Sequence, residues 1–396
     1  MRGNTRPTGR RRVVRRSATL TRWAWWIHGI VGLKLGLVVT FVVITGTLAT
    51  LGHEWDWLFG PYQRVSPDGD RAGLAEIYSA VDDAYPEHFL LQVHTRRGHR
   101  TAASVIAVSP DRQYRRIYVD PYRTTQIWNT DMLSAQMFLR QVHQSLLIPK
   151  YGRLFVSGLS LLTLISLVSG LVVYKRFWRG FLVIPRRRNL RTFLGDCHRL
   201  AGVWSIWFLA IITITSLWYL YEDIDTFGAH LDTPGLSEAA LTTTGAKKGE
   251  RISVENAVNA AREAVPDLDP QRLLMPEWAD EPIVVQGFSG AWLVRPRATS
   301  VAVDPYSGDI IHLQLAGELG FKARLHEAAD PLHFGTFGGL TTKLVWFIFG
   351  IAMSFLSISG LIIYAKRLVH RSSSRNRPAS GHPSGGKGTG WDAGVT

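Results

Sequence analysis

Four apolar runs in this chain reach membrane length: Trp25–Leu51, Leu154–Tyr174, Leu200–Tyr221 and Leu344–Tyr364. A bilayer core of roughly 30 Å takes about 20 apolar residues as helix, because in hydrocarbon the backbone must satisfy its own polar groups. Lys34 is the only Lys, Arg, Asp or Glu inside them. Helices buried in soluble proteins rarely run so far without polar residues, so the runs predict membrane spans.

Charge supplies the orientation. The net charge is +14, which alone would invite a nucleic-acid partner. Its distribution points elsewhere. Residues 1–22 hold eight Arg and no acid, residues 175–199 hold eight Lys/Arg and one acid, and residues 366–396 hold six Lys/Arg and one acid. With four spans all three segments fall on one side, the positive-inside bias. Both termini and the short central loop are expected in the cytoplasm, against anionic lipid, with no nucleic acid. The basic, then apolar, N-terminus reads as an uncleaved anchor. Arg15-Arg16 is too generic to signal twin-arginine export. Cys197 is the only cysteine, which excludes intrachain disulfides and cysteine-held zinc or iron–sulfur centres.

The halves overlay. Val119-Asp120-Pro121-Tyr122 matches Val303-Asp304-Pro305-Tyr306. Ser169-Gly170-Leu171 matches Ser359-Gly360-Leu361 at an offset of 190, which also carries His143 onto His333. An offset of 170 lays His28 on His198, Gly32 on Gly202 and Ile44-Thr45 on Ile214-Thr215. The expected fold is an α-helical membrane bundle of four helices with two outer α+β modules, an internal parallel duplication about an axis along the membrane normal.

The organisation follows: a basic N-terminus (1–22), a span (23–51), an outer module (52–129), a surface helix and link (130–153) and a second span (154–174). A basic loop (175–199), a third span (200–221), a second module (222–325), a link (326–343), a fourth span (344–364) and a disordered tail (365–396) complete it. Within the modules, Ala72–Ala84 and Val254–Ala264 have helical spacing, each stopped by a proline, with Ser253 as an N-cap. Alternation predicts strands at Phe89–Val93, Ala102–Val108, Arg116–Val119, Ile283–Phe288, Ala291–Arg295 and Ser300–Val303. Gly385-Gly386-Lys387-Gly388-Thr389 resembles a phosphate loop but has no flanking strand or helix.

Four histidines stand at the mouths of spans: His28 and His198 on the inner side, His143 and His333 on the outer. An intramembrane imidazole is costly and marks a functional candidate. Taken singly, each could be bonded to a carbonyl near the headgroups. As two pairs related by an axis, they can converge on a metal from both sides. Zinc wants more ligands than two histidines provide, whereas haem iron takes one or two axial ligands. Gly32 and Gly202 lie one turn after His28 and His198, where they leave room for a flat macrocycle or serve helix packing. Lys34 reads as a propionate partner or a snorkelling charge. Trp23, Trp25 and Trp26 read as an interfacial belt. His53 and His326 lack repeat mates, with Asp223 and Gln136 opposite. His326-Glu327-Ala328-Ala329-Asp330 misses the zinc-protease pattern in its last residue. His88, His94 and His99 are expected in or beside the first module, solvated, with metal capture a minor alternative.

His198-Arg199-Leu200-Ala201-Gly202 opening a helix, the Val-Asp-Pro-Tyr turns, His143 with Gly152 beyond it, and the Ser-Gly-Leu helix ends together resemble PepSY-associated transmembrane proteins over residues 22–370. That resemblance implies bacterial inner-membrane proteins with PepSY-like outer modules, among them ferric-siderophore reductases with two b-type haems. On it, His28 and His198 hold an inner haem, and His143 and His333 an outer one. Some relatives carry a fused flavin reductase. No such motif occurs here, so a cytoplasmic flavoprotein or other donor is expected as a partner. The expected function is di-haem transmembrane electron transfer to a ferric siderophore. The competing expectation is a membrane-anchored PepSY module that restrains or assists a secreted peptidase. Haem or metal import ranks below both, because no polar path crosses the runs.

Overall fold

The computed structural model describes residues 19, 21–29, 36–96, 98–174, 176–228 and 249–375. Gly32, Lys34, the basic residues through 18 and the tail from 376, with Gly385–Thr389, lie outside them. Residues 21–29 are helical. There follow α1 (Gly36–Thr50), α2 (Gly52–Phe59), α3 (Leu74–Ala84), β1 (Phe89–His94), β2 (Ala103–Val108), β3 (Tyr114–Asp120) and β4 (Arg123–Asp131). The first half closes with α4 (Ala135–Ser145), α5 (Tyr151–Gly158) and α6 (Ser160–Val173). The second half runs α7 (Leu190–Gly228), α8 (Val254–Ala264), β5 (Asp269–Leu274), β6 (Ile283–Phe288), β7 (Thr299–Val303), β8 (Ile310–Gln314), α9 (Phe321–Phe334) and α10 (Gly339–Arg375).

The expected four-helix bundle is not what forms. Three helices among the described residues are long and apolar enough to cross a membrane: Tyr151–Val173, Leu190–Asp225 and Thr336–Lys366. In the first apolar run, α1 meets α2 at a bend of 60°. Leu51 leaves helical geometry at φ −102°, ψ 24°. A Cβ on the next residue, Gly52, would lie 3.1 Å from Gln136 Cα, so the break is where α4 crosses closely. Beyond it, His53, Glu54 and Asp56 are too polar for hydrocarbon. Lys343 Nζ donates to Glu54 Oε1 at 2.5 Å and ties α2 to α10. The last helix continues to Arg375, into the segment expected as tail.

Two separate outer modules are also not found. The eight strands form one sheet in the order β4-β3-β2-β1-β5-β6-β7-β8, with every pairing antiparallel. The halves fuse where β1 pairs β5, with Val93 opposite Leu273 and His94 opposite Arg272. Alternation gives the sheet two unlike faces. Val93, Val105, Ile117, Leu273, Val285 and Val301 are fully buried, in one core with residues of α3 and α8. Across the register, His94, Ser104 and Tyr118 share the opposite, polar face, as do Arg272, Gln286 and Ser300.

Ala291–Arg295 is a loop rather than a strand, with Leu293 at φ 56°. Strands β4, β5 and β8 escape the alternation rule, since β4 is mostly polar and β5 opens on Asp-Pro. The Asp-Pro-Tyr turns join β3 to β4 and β7 to β8. Asp120 and Asp304 accept the N–H of Tyr122 at 2.9 Å and of Tyr306 at 2.8 Å.

Because Leu273 is central to the seam and the core, Leu273→Ala is expected to cost about 2–5 kcal/mol. Thermal unfolding of the full chain in detergent would measure it, and a loss well under 1 kcal/mol would refute the seam's place in a single core.

Candidate functional site

The four sequence-selected histidines sit at two levels of the helical region. His28 meets α6, where its Nδ1 lies 3.2 Å from the Ser166 carbonyl and 3.1 Å from Ser169 Oγ. His198, on α7, places Nδ1 2.8 Å from Ser359 Oγ of α10. A Cβ on Gly170 would lie 3.6 Å from the His28 ring, and one on Gly360 3.5 Å from the His198 ring. Both rings therefore rest on a Ser-Gly step of a neighbouring span.

At the other level, His143 of α4 donates from Nδ1 to the Val42 carbonyl of α1 at 2.9 Å. A Cβ on Gly46 would fall 2.5 Å from the His143 ring, so Gly46 is what lets the imidazole reach the α1 backbone. His333 of α9 has Nδ1 2.9 Å from Thr215 Oγ1 of α7. The His143 and His333 ring centres are 6.2 Å apart, with the planes at 37°. Along α7, His198 and Thr215 lie about 25 Å apart at 1.5 Å per residue.

The Ser166 and Val42 carbonyls can only accept, which fixes Nδ1–H on His28 and His143; for His198 and His333 the tautomer is assigned from the hydroxyls' other bonds. Ser169 Oγ–H donates to the Ser166 carbonyl at 3.2 Å, and Ser359 Oγ–H to the Leu356 carbonyl at 3.2 Å. Thr215 Oγ1–H donates to the Ile211 carbonyl at 2.9 Å. Such back-bonding to the preceding turn is the usual habit of helical Ser and Thr. With their hydrogens committed, these oxygens accept from the imidazoles. All four rings thus carry the proton on Nδ1 and present Nε2 as a lone pair, the state required of a metal ligand whose other nitrogen is anchored. His143 and His333 lie outside the spans. Burial lowers the pKa of both, His333 to about 3, with the nearby His143 a further cause. They are neutral at pH 7.

Two imidazoles on opposite sides of one metal, with bonds of about 2 Å and about 1 Å more to each ring centre, stand roughly 6 Å apart. The His143–His333 pair matches that spacing. Among the described residues there is no group of three or more His, Cys, Asp or Glu able to hold a metal ion.

His326 differs from the four. Arg295 Nη1 donates to its Nε2 at 2.6 Å and its Nδ1 donates to Glu222, so both nitrogens are used. Glu327 and Asp330, the rest of the near-miss motif, hold Arg295 at 3.5 and 2.7 Å. Tyr219 donates to Asp330 at 2.7 Å and packs its ring 5.2 Å from His333. Gly202 has only Leu356 near its missing Cβ, at 3.7 Å. Trp23 and Trp26 are exposed and stack edge to face at 5.7 Å, as a lipid-facing belt would. Between the two histidine levels, Trp207 and Phe208 of α7 interlock with Trp346 and Phe349 of α10 at centroid distances of 4.7–5.7 Å.

Sequence reasoning missed the anchors. Ser169, Ser359 and Thr215 all appeared as repeat matches, at the same offsets as the histidines, but as helix landmarks rather than partners. It also expected His94 to be solvated. His94 is half-buried, donating to Gln92 Oε1 at 3.0 Å. Burial first, and then Arg272, Arg297, Arg96 and Arg116, push its pKa down to about 3.

The PepSY-associated TM region family matches residues 25–367. An uncharacterized protein of Pseudomonas aeruginosa is 22% identical over 257 residues, 59% of this chain and 64% of the relative. The chain therefore spans under two thirds of that relative's length.

The His94 shift has a signed consequence. Between about 6.5 and about 3 the unfolded chain holds a proton on this ring and the folded chain does not, so stability falls as pH falls through that window. His94→Gln is expected to flatten that part of the pH dependence. Melting temperatures of both proteins at pH 7 and pH 4.5 would show it, and parallel losses would refute it.

Proposed function

We propose, for a chain that belongs to the PepSY-associated TM region family and is a membrane protein, the role of a transmembrane electron carrier holding two b-type haems. Its acceptor is ferric iron in a siderophore on the outer face of the bacterial inner membrane. Its donor is a cytoplasmic flavoprotein or another reduced partner. The basic segments and both termini face the cytoplasm in this reading. The observation that carries it is the set of four Nδ1-anchored imidazoles in two pairs, the outer pair at 6.2 Å between ring centres.

Haem would be held by His28 with His198 at the inner level and by His143 with His333 at the outer. When bound, it supplies reversible one-electron iron chemistry. The chain's own residues do the rest. The Nδ1–H bonds to Ser169, Ser359, Thr215 and the Val42 carbonyl fix each ring's tautomer and direction and raise its basicity. Gly46 seats the His143 ring against α1. The Trp207, Phe208, Trp346 and Phe349 cluster packs the interval between levels and excludes water from it. One electron per ferric ion leaves a ferrous ion of lower charge, which chelating oxygens hold less tightly.

The protein purified in detergent from haem-replete cells is expected to show b-type bands on dithionite reduction, with about two haems per chain. Alanine at any of the four histidines is expected to remove one level. Thr215→Val, which deletes the acceptor for His333, is expected to weaken haem retention at the outer level alone by about 10–100-fold. A colourless protein would overturn the reading and leave a PepSY binding module.

A further inference from the structure

We propose that the seam between the polar face of the sheet and helices α4 and α9 binds a small, multiply charged anion through Arg96, Arg116, Arg140, Arg272 and Arg297. Resting on the electron-carrier reading, this makes the acceptor a negatively charged ferric chelate, rich in carboxylate or catecholate oxygens, rather than a neutral one.

The five arginines come from five places in the chain. Arg96 follows β1, Arg116 lies on β3, Arg140 on α4, Arg272 on β5, and Arg297 just ahead of β7. Their placement follows from the β1–β5 fusion. His94 faces Arg272 directly across it. The charges of Arg96, Arg116, Arg272 and Arg297 all reach His94, and that of Arg140 reaches Arg297. His53 of α2 feels Arg96, Arg116 and Arg140 from below. The sheet and the helices therefore contribute to a single positive seam.

The described chain neutralises it only in part: the Asp56 and Glu54 carboxylates act on Arg96, and those of Asp330 and Glu327 on Arg297. None of the five forms an ion pair among the described residues. Four of the acids nearby are committed to other cations, Glu54 to Lys343, Glu222 to His326, and Glu327 and Asp330 to Arg295, while Asp56 accepts the Gln136 N–H at 3.1 Å. Arg272 spends Nη2 on Gln92 Oε1 at 2.8 Å, while its Nε is buried with no partner. Arg96, Arg140 and Arg297 remain open to solvent. Like charges gathered this way repel and destabilise the fold. A cleft of one sign between low-dielectric walls also focuses its field on an incoming counter-ion. Guanidinium forks match carboxylate and similar paired oxygens in two-point bonds.

Arg140 places the seam next to the His143–His333 pair. Arg140 lies one turn before His143 on α4, and its guanidinium sits 5.7 Å from the ring centre of Phe334, the residue after His333. An anion held there stands over the level from which electrons would leave.

The test uses redox-inert gallium(III) chelates and the full chain in detergent, by calorimetric titration. The anionic probe is a gallium tris-catecholate and the neutral one a gallium tris-hydroxamate. The anionic chelate is expected to bind at least tenfold tighter than the neutral one, and more weakly as salt rises. Arg140→Gln with Arg297→Gln, both at exposed positions, is expected to lose tenfold or more with the haem spectrum unchanged. Arg272→Gln should act likewise, and the exposed pair keeps the test open if that sheet variant fails to fold. Equal affinity for the two probes, or no binding of either, overturns the inference. Loss of haem in the arginine variants also overturns it, since the arginines then serve propionates. A colourless protein that still prefers the anionic probe defeats the electron-carrier reading and leaves the anion site standing.

Discussion

A half-buried imidazole has to give its N–H to an acceptor or forfeit the cost of desolvating it. That single requirement organises the helical region. Each of the four histidines finds its acceptor on a different helix from its own: His28 on α6, His143 on α1, His198 on α10, His333 on α7. The acceptors are a backbone carbonyl or hydroxyls already bonded to the turn before. Neither kind brings a charge into the membrane. The helices are thereby cross-linked by hydrogen bonds whose by-product is a set of lone pairs at Nε2. Serine and threonine serve well here, because a helix can carry them at little expense while their oxygens still accept.

The β1–β5 pairing performs the matching task outside the spans. Two four-stranded sheets could each have buried one face under a helix and kept two edges. Joining them removes the edges at the seam and fixes a single core under α3 and α8. The other face then becomes one surface over the helices rather than two. Cations from both halves consequently meet at the centre of the molecule, where Gln92 and His94 supply polar contact but no negative charge. Charge pairs elsewhere join helix to helix: Lys343 of α10 holds Glu54 of α2, and Arg153 of α5 holds Asp223 of α7 at 2.6 Å.

Much of this was legible in the sequence, and the failures have physical causes. Membrane-length apolar runs, the helix over Val254–Ala264 and the strand over Ile283–Phe288 follow directly from periodicity. The repeat offsets pick out all four histidines. What periodicity cannot register is a bend set by a neighbour. Gly52 reads as an ordinary glycine until Gln136 of α4 is seen against it. Strand β4 is invisible because its Arg, Thr, Gln and Asn alternate with little apolar contrast, being an edge strand partnered only by β3. Fusion of the modules is likewise a long-range event, since β1 and β5 contribute apolar residues that would fit equally in two cores.

His326 sharpens what separates a candidate ligand from a structural histidine. It is half-buried, it lies on the same helix as His333, and its sequence neighbours look more like a metal motif. Yet Arg295 and Glu222 take both of its nitrogens, leaving no lone pair. One helical segment thus carries two imidazoles with opposite bookkeeping: His326 closed within a charged network, His333 open at Nε2. The division falls at the boundary between the polar seam and the apolar interior. Above it, charges are plentiful and a histidine is most stable bridging them. Below it, only neutral partners are tolerated, and one nitrogen is satisfied by a hydroxyl or a carbonyl while the other keeps its lone pair.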